Sequence, residues 1–400
     1  MSYRYAALIV LILALPCRAA DEPKPNTLTP KEIAEGWISL FDGETTFGWD
    51  DGGKPEAREN VLIHGGDEKV VAGTTTEFLF YELAFEYRIE GPMKEGALVE
   101  LLPSSQIRGG IPLPSRISWA SAILKVKNGE ISGSTKQIGG PPLTDDRHLF
   151  KLYPSPKPFN STQRIAFSIP KGTKLSLRNF KLKPLDMKPL FNGKDLTDWK
   201  KLEPDPKRAK SQFTVTKDGC LSITNGPGDL QTTSEWSDFV LQLDCRTNGD
   251  NLNSGVFLRC IPGQYQNGYE AQIQNQAAKQ PKKYSIDEYD PKTRQLLSKK
   301  EVENWSQDFG TGSIYRRVPA RRAVAKDREW FTMTVIARGR HFATWVNGIQ
   351  VVDWTDNRPE NENARNGCRL KKGPISLQGH DPTTDLSFRN IRIADLSEKD

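Results

Sequence analysis

An internal repeat constrains the fold of this chain more than any other feature of its sequence. The segment LFDGETTFGW at 40–49 shares with LFNGKDLTDW at 190–199 the frame Leu-Phe-[Asp/Asn]-Gly, five residues, then Trp. A second pair matches in the same way, LSLRNFKLKPL at 175–185 with LSFRNIRIADL at 386–396. Because each unit opens with one signature and closes with the other, the sequence predicts two tandem copies of one fold, over residues 36–186 and 187–396.

Both units have the sequence pattern of β-proteins. Short alternating or apolar runs are separated by Gly, Pro and Asn, and long helical periodicity is absent. The pattern predicts strands at 81–89, 239–245, 330–337 and 342–346. Asn347-Gly348 predicts the type I′ turn of a hairpin at 341–352. Many short antiparallel strands in each unit predict a β-sandwich or jelly roll.

The N-terminus predicts export. Residues 1–20 combine Arg4, an apolar run at 6–15 and a small-residue segment that ends at Ala20, which is the pattern of a cleaved signal peptide. We therefore expect a periplasmic or secreted protein, and Pro16 directly before Cys17 disfavours a lipoprotein. No other apolar run is long enough to cross a bilayer, so no membrane span is expected.

Charge and cysteine content narrow the classes of function. Residues 1–20 carry two basic and no acidic residues, so their removal lowers the formal net charge from +6 to +4. The remaining Lys and Arg are dispersed, and nucleic-acid binding is not expected. The four remaining cysteines are Cys220, Cys245, Cys260 and Cys368. In an exported protein they permit one or two disulfides of undetermined pairing, and their spacings do not resemble a thiolate metal site.

Most candidate site residues lie in the segment 253–275. Gly255–Arg259 alternates like a half-buried strand, with Phe257 and Arg259 on one face. In Tyr269–Ile273, Glu270 and Gln272 share a face. A carboxylate and an amide together on a sheet face suit the recognition of a polyhydroxylated ligand.

The second unit is the longer one, and much of its extra length lies at 277–307. This stretch is charged and rich in lysine, which predicts an excursion over the surface. A loop of that length is usually either a functional rim or mobile, and the sequence leaves both open.

The second unit resembles the 3-keto-disaccharide hydrolase family. The resemblance rests on LFNGKDLTDW at 190–199, NSGVFLR at 253–259, GYEAQI at 268–273, GTGSIY at 310–315, WVNGIQVVDW at 345–354, GPISLQGH at 373–380 and FRNIRI at 388–393. It implies an all-β fold of two tandem concanavalin A-like jelly-roll sandwiches. The first unit keeps only the opening and closing signatures, so we expect it to be a degenerate sandwich and the site to lie in the second.

The resemblance also implies cleavage of glycosides oxidised to a ketone at C3 of the sugar. The ketone acidifies the C2 proton, so that a base can remove it and the enolate can expel the C1 oxygen. Such a site needs a base, a stabiliser of enolate charge and a proton donor for the leaving group. Hydrolysis and elimination both stay open. The alternatives are a non-catalytic, lectin-like protein and a structural interaction module, because a fold does not decide function.

Seven residues are candidates for this site. Glu270 is expected to act as the base or as a ligand, against the alternative of a surface carboxylate paired with a lysine. His380 suits general acid/base work or metal ligation, against a structural role in its loop. Arg259 would hold the ketone or enolate oxygen, or else form a salt bridge with Glu270. The other candidates for substrate binding are Gln272, Tyr315, Asn253 and Gln378.

The remaining aromatic and basic features favour structural roles. Trp49 and Trp199 recur in both opening signatures, including the unit without a site, and are expected to be core anchors. The basic run at 315–326 is expected to be a solvated loop rather than a site for anionic polysaccharide. No organic cofactor is expected and a divalent metal stays open, although Gln274-Asn275 stands where the family often has an acidic residue. The expected partner is an oligosaccharide or glycoside.

Overall fold

A computed structural model describes residues 24–51, 55–91, 100–102, 111–113, 118–128, 130–138, 148–149 and 162–397. The predicted signal peptide lies outside the described residues. The described chain is almost entirely β-structure, as predicted. Its helical elements are one α-helix, α1 (Pro30–Glu35), and two 3-10 turns at Pro206–Arg208 and Gln307–Phe309. Thr29 caps α1 through a reciprocal pair of hydrogen bonds with Glu32.

Two groups of strands form the two units. The strands up to residue 184 are β1 (Ile38–Ser39), β2 (Trp49–Asp51), β3 (Glu56–Arg58), β4 (Val61–Gly66), β5 (Val70–Phe78), β6 (Tyr81–Glu90), β7 (Glu100–Leu102), β8 (Ile111–Pro112), β9 (Ala120–Lys127), β10 (Glu130–Gln137), β11 (His148–Leu149), β12 (Gln163–Ile169) and β13 (Thr173–Pro184). Those of the second unit are β14 (Lys188–Pro189), β15 (Trp199–Lys201), β16 (Gln212–Val215), β17 (Leu221–Thr224), β18 (Gly228–Thr232), β19 (Phe239–Thr247), β20 (Ser254–Leu258), β21 (Tyr269–Ile273), β22 (Ala277–Tyr289), β23 (Leu296–Ser306), β24 (Phe331–Arg338), β25 (His341–Val346), β26 (Ile349–Thr355), β27 (Ser376–Gly379) and β28 (Asp385–Asp395).

Each unit is a jelly-roll sandwich of a large and a small antiparallel sheet. The large sheets have the orders β3-β4-β13-β6-β9-β10-β11 and β16-β17-β28-β19-β24-β25-β26, with β1 added to β13 and β14 to β28. The small sheets have the orders β2-β5-β12-β7-β8 and β15-β18-β27-β20-β21. The described strands of the two units therefore follow the same order, position by position.

The opening signature makes the same local structure in both units. The indole Nε1 of Trp49 donates to the carbonyl of Leu40 at 2.6 Å, and that of Trp199 donates to the carbonyl of Leu190 at 3.0 Å. Both tryptophans are 7% exposed. The frame of the signature thus places each ring under its own opening turn, and both rings are core anchors.

The closing signature produces a β-bulge in the long last strand of each unit. Asn179 and Asn390 have positive φ values of 50° and 52°, and the pairing register shifts beside each of them. The Asn179 amide donates to Glu86 at 3.0 Å, and the Asn390 amide donates to Asp244 at 2.8 Å. Asparagine tolerates this left-handed conformation better than most residues, which accounts for its place in both signatures.

The large sheet of the second unit packs against the first unit. Trp345 of β25 is fully buried in the hydrophobic core of the first unit, where it is joined by Val240, Ile336 and Ala343. Its indole nitrogen donates to the carbonyl of Ser39 at 2.9 Å. The predicted turn follows directly, because Asn347 and Gly348 have φ values of 48° and 76°. The hairpin predicted at 341–352 therefore docks one unit on the other.

The structure answers two questions about the second unit that the sequence left open. The excursion at 277–307 is exposed, as predicted, and it forms a long antiparallel hairpin of β22 and β23 rather than an irregular loop. Cys220, Cys245, Cys260 and Cys368 are free thiols, so the disulfides that export would permit are not formed.

Candidate functional site

The candidate site lies on the face of the second unit's small sheet that is turned away from its core. Register places one residue from each of four neighbouring strands in a row, Gln231, Ser376, Phe257 and Glu270. The alternate residues of these strands, among them Leu230, Leu377, Val256 and Ala271, pack in the core. The period of two that predicted a polar face at Glu270 and Gln272 is therefore realised.

This face borders an open cavity of about 270 Å³. Six of the seven predicted site residues line it, namely Asn253, Glu270, Gln272, Tyr315, Gln378 and His380. The structure thus brings together residues from segments more than 100 positions apart in the chain. The volume is slightly below the range of about 300–1,000 Å³ usual for small-molecule sites and suits a single sugar ring.

Arg259 was predicted to bind substrate, but the structure places its side chain away from the cavity. It follows the end of β20 at φ 50°, which turns its side chain away from the cavity, and the side chain is fully buried. Its guanidinium pairs with Asp238 at 3.0 Å and donates to the carbonyls of Gly339 and Arg369. The guanidinium does not line the cavity and forms no salt bridge with Glu270, because the strand ends one residue before the pattern predicted.

Glu270 is a half-buried carboxyl group without a hydrogen bond or ion pair to any described residue. Burial raises its pKa to about 8; the guanidinium groups of Arg365 and Arg316 oppose this shift, and the negative charge of Asp229 adds to it. At neutral pH the group is therefore mostly protonated. A carboxyl group with a pKa near the working pH is suited to proton transfer.

Gly255 provides the space in which the Glu270 side chain lies. Gly255 on β20 lies opposite Gln272 of β21, which is two residues along the strand from Glu270 and on the same face of the sheet. A Cβ at position 255 would lie 2.7 Å from Oε1 and 2.8 Å from Cγ of Glu270. A glycine is therefore needed for the observed position of this carboxyl group.

Two amide oxygens at the cavity lack a hydrogen-bond donor among the described residues. These are Oδ1 of Asn253 and Oε1 of Gln378, both buried. Buried acceptors are rarely left unpaired, so they are suited to ligand hydroxyl groups. Gln272 differs, because its amide already donates to the carbonyl of Asp308 at 3.1 Å and accepts from the backbone of Ile273. It holds the turn at 307–309 against the sheet.

His380 lies at the exposed end of β27, where its Nδ1 is 2.8 Å from Oδ2 of Asp381. Asp381 is itself fixed by Thr383, whose backbone and hydroxyl groups both donate to Oδ1. A carboxylate on Nδ1 favours the tautomer with its proton on that nitrogen, which leaves Nε2 free to accept a proton. Two strand spacings separate β27 from β21, and the register sets His380 four residues along the sheet from the row of Glu270, so the backbones that carry them are about 16 Å apart.

Three arginines at the cavity were not predicted as site residues. Arg316, Arg317 and Arg365 line it, and none of them forms an ion pair with a described residue. Arg317 donates to the carbonyl of Arg365 at 2.6 Å, and Arg365 donates to that of Gln266 at 2.6 Å. Arg316 and Arg317 belong to the basic run at 315–326, which was predicted to be a solvated loop. Nothing in the sequence around Arg365 indicated its place.

The described residues include no cluster of three or more His, Cys, Asp or Glu side chains that could hold a metal ion. Within the described part of the chain, no helix is long and apolar enough to cross a membrane.

Comparisons with solved structures find proteins that are similar to about half of this chain. Two solved structures of proposed glycosyl hydrolases from Parabacteroides distasonis are similar at 20% and 24% identity, with TM-scores of 0.39 and 0.37. Each covers 53% of this chain, and 94% and 100% of the other chain. A carbohydrate-binding module from Bacillus subtilis is similar at 13% identity over 49% of this chain and 95% of its own, with a TM-score of 0.30.

A search of curated proteins finds no match. The profile of one protein family, described as the 3-keto-alpha-glucoside-1,2-lyase-like domain, matches residues 186–394, which is just over half of the chain and contains all the residues that line the cavity. The chain therefore belongs to the family of 3-keto-α-glucoside-1,2-lyase-like domains.

Proposed function

We propose that the second unit cleaves 3-keto-α-glucosides by removing the C2 proton and expelling the C1 oxygen. The observation that carries this proposal is the protonated, unpaired Glu270 carboxyl group facing the same cavity as the Nε2 side of His380. The first unit, without a counterpart of this cavity's motifs, serves as a scaffold. We also propose that the protein is exported, on the pattern of residues 1–20.

The stereochemistry of the substrate requires two groups on opposite faces of the ring. In an α-glucoside the C2 hydrogen and the C1 oxygen are both axial and point to opposite sides. A base and a proton donor must therefore lie on either side of the sugar. His380 and Glu270 line the same cavity from backbone positions about 16 Å apart, which leaves room for a pyranose ring between their side chains.

The protonation states assign the two roles. Glu270, with a pKa of about 8, holds a proton at neutral pH and donates it to the leaving oxygen. His380, with Nδ1 held by Asp381, accepts the C2 proton on Nε2. This assignment replaces the prediction of Glu270 as the base. His380 gains one proton while Glu270 loses one, so the net charge of the site does not change during the step.

The arginines take the role that Arg259 does not fill. Arg316 and Arg365 are close enough to Glu270 to lower its pKa electrostatically, so their charges act within the cavity. Negative charge develops on the C3 oxygen as the enolate forms, and a guanidinium group stabilises it through fixed donors. Asn253 and Gln378 accept hydrogen bonds from the sugar hydroxyls.

The test uses two substrates with the same oxidised sugar, p-nitrophenyl and methyl 3-keto-α-glucoside, with the unoxidised glucosides as controls. We expect cleavage of the keto substrates alone, a primary isotope effect with deuterium at C2, and an unsaturated keto sugar seen by NMR before any water adds. Intact substrate with measurable sugar binding would instead identify a lectin-like protein.

Variants separate the two roles. Nitrophenolate leaves without help from an acid, whereas methoxide does not. Glu270→Gln should therefore lower kcat for the methyl glycoside by about 10²–10⁴-fold and affect the nitrophenyl glycoside far less. His380→Asn should lower both. Glu203→Gln, at an exposed carboxylate outside the cavity, is the matched control. Equal losses on both substrates in Glu270→Gln would contradict the role of proton donor.

A further inference from the structure

We infer that a second cavity, beside the hairpin of β22 and β23, is a subsite for an uncharged sugar as the leaving group. The inference rests on the proposed function, which requires the C1 substituent to extend out of the catalytic cavity. The second cavity has a volume of about 360 Å³. Arg316 and Arg317 line both cavities, so the two adjoin each other.

The size of the catalytic cavity makes such a subsite necessary for a disaccharide. About 270 Å³ accommodates one pyranose ring between Glu270 and His380. The leaving oxygen, which Glu270 protonates, marks the point where the second ring begins. Glu270 also adjoins Tyr269, whose ring is 6.4 Å from that of Trp354 in the wall of the second cavity. The ring of Tyr269 packs in the core, so the side chains that the two cavities share are those of Arg316 and Arg317.

The lining of the second cavity has the chemistry that sugars need. Tyr289 and Trp354 are half-buried aromatic rings, and Leu297 is 64% exposed. Asn357 adds an amide, and its Oδ1 accepts from Arg294 at 2.6 Å, so that its NH₂ group remains as a donor. Apolar and aromatic walls with a few placed polar groups are typical of sites for small organic ligands.

The charge of the cavity favours a neutral occupant. Arg316 and Arg317 face the carboxylates of Asp287 and Glu288, which line the same cavity. Asp287 acts electrostatically on Arg317. The third arginine of the lining, Arg358, pairs with Asp356 at 2.8 Å, so most of the charge is compensated and the cavity does not select for an anionic group.

The hairpin is fixed against the unit at both ends. Near its base, the amide of Asn304 donates to the carbonyl of Ala320 at 2.7 Å. At its tip, Arg294 binds Asn357. In the first unit, the equivalent connection between β8 and β9 is only residues 113–119, whereas that between β21 and β24 is residues 274–330. The second cavity is thus a feature of the second unit, like the catalytic cavity.

The experiment compares two substrates that differ only in the leaving group, methyl 3-keto-α-glucoside and 3-keto-trehalose. Tyr289→Ala should lower kcat/KM for the disaccharide about tenfold and leave the methyl glycoside unchanged, and Tyr289→Phe should retain activity on both. Trp305→Ala removes an aromatic ring that is 61% exposed on the same hairpin and outside the cavity, and it should change neither. An equal effect of Tyr289→Ala on both substrates would overturn the inference.

A binding measurement separates this inference from the proposed function. If the wild-type protein cleaves neither substrate, the cleavage proposal fails, and saturation-transfer NMR with 3-keto-trehalose then tests the subsite alone. Transfer to both rings in the wild type, with loss at the unoxidised ring in Tyr289→Ala, would support the subsite. Transfer to the unoxidised ring that persists in Tyr289→Ala would reject it.

Discussion

Gly255→Ala tests whether the position of the Glu270 carboxyl group is essential. The added Cβ would lie 2.8 Å from Cγ of Glu270. Ordinary carbon contacts are about 3.5–4.0 Å, so the Glu270 side chain must move by about 0.7–1.2 Å. A misplacement of about 1 Å costs on the order of 10²-fold in rate. The backbone at 255 is not in the left-handed region, so the fold itself should tolerate alanine.

The assay measures kcat with methyl 3-keto-α-glucoside together with the melting temperature. We expect a loss of about 10²-fold in kcat and only a small change in melting temperature. Gly249→Ala is the matched control, because a Cβ there meets Leu252 at an ordinary 3.4 Å. Full activity in a folded Gly255→Ala protein would show that the position of Glu270 does not matter, and the assignment of the proton donor would then fall.

Two further predictions concern stability. Glu270 has a pKa of about 8 in the folded protein against an ordinary 4.5, so the wild type loses stability as the pH rises from about 4.5 to 8. Glu270→Gln should therefore be more stable than the wild type at pH 9, by about 2–4 kcal/mol, but not at pH 4. Equal melting curves at pH 9 would refute the raised pKa. Trp345→Ala should cost about 3–5 kcal/mol in unfolding free energy, because the ring is fully buried between the units; a loss below about 1 kcal/mol in chemical denaturation would contradict that packing.

The strands and the polar face could be predicted because they depend on local patterns. The alternation in Tyr269–Ile273 fixes which side chains leave the core, and the structure places Glu270 and Gln272 accordingly. The Asn-Gly turn at 347–348 likewise requires only positive φ values at two adjacent residues. Such features need no knowledge of distant contacts.

The end of a strand and the partners of a charge could not be predicted in this way. Arg259 continues the alternation of β20 on paper, but the backbone turns at φ 50° and the side chain enters a network with Asp238. Arg365 reaches the cavity only because its loop packs against Gln266. Both outcomes depend on tertiary contacts, and a strand pattern carries no information about them.

The opening signature of the first unit provides a link between that unit and the site. In both units the third residue of the signature accepts backbone hydrogen bonds from the turn, Asp42 from Glu44 and Thr45, and Asn192 from Lys194 and Asp195. An amide is sufficient for that role.

The carboxylate of Asp42 does more, because its Oδ2 also pairs with Arg321 at 2.8 Å and Arg322 at 3.2 Å. Arg321 and Arg322 lie a few residues after Arg316 and Arg317, which line the cavity. The ion pairs of Asp42 therefore fix the segment that carries these two cavity arginines to the first unit. The difference between Asp42 and Asn192 is therefore explained by the contact between the units, and the first unit supports the site by positioning this segment.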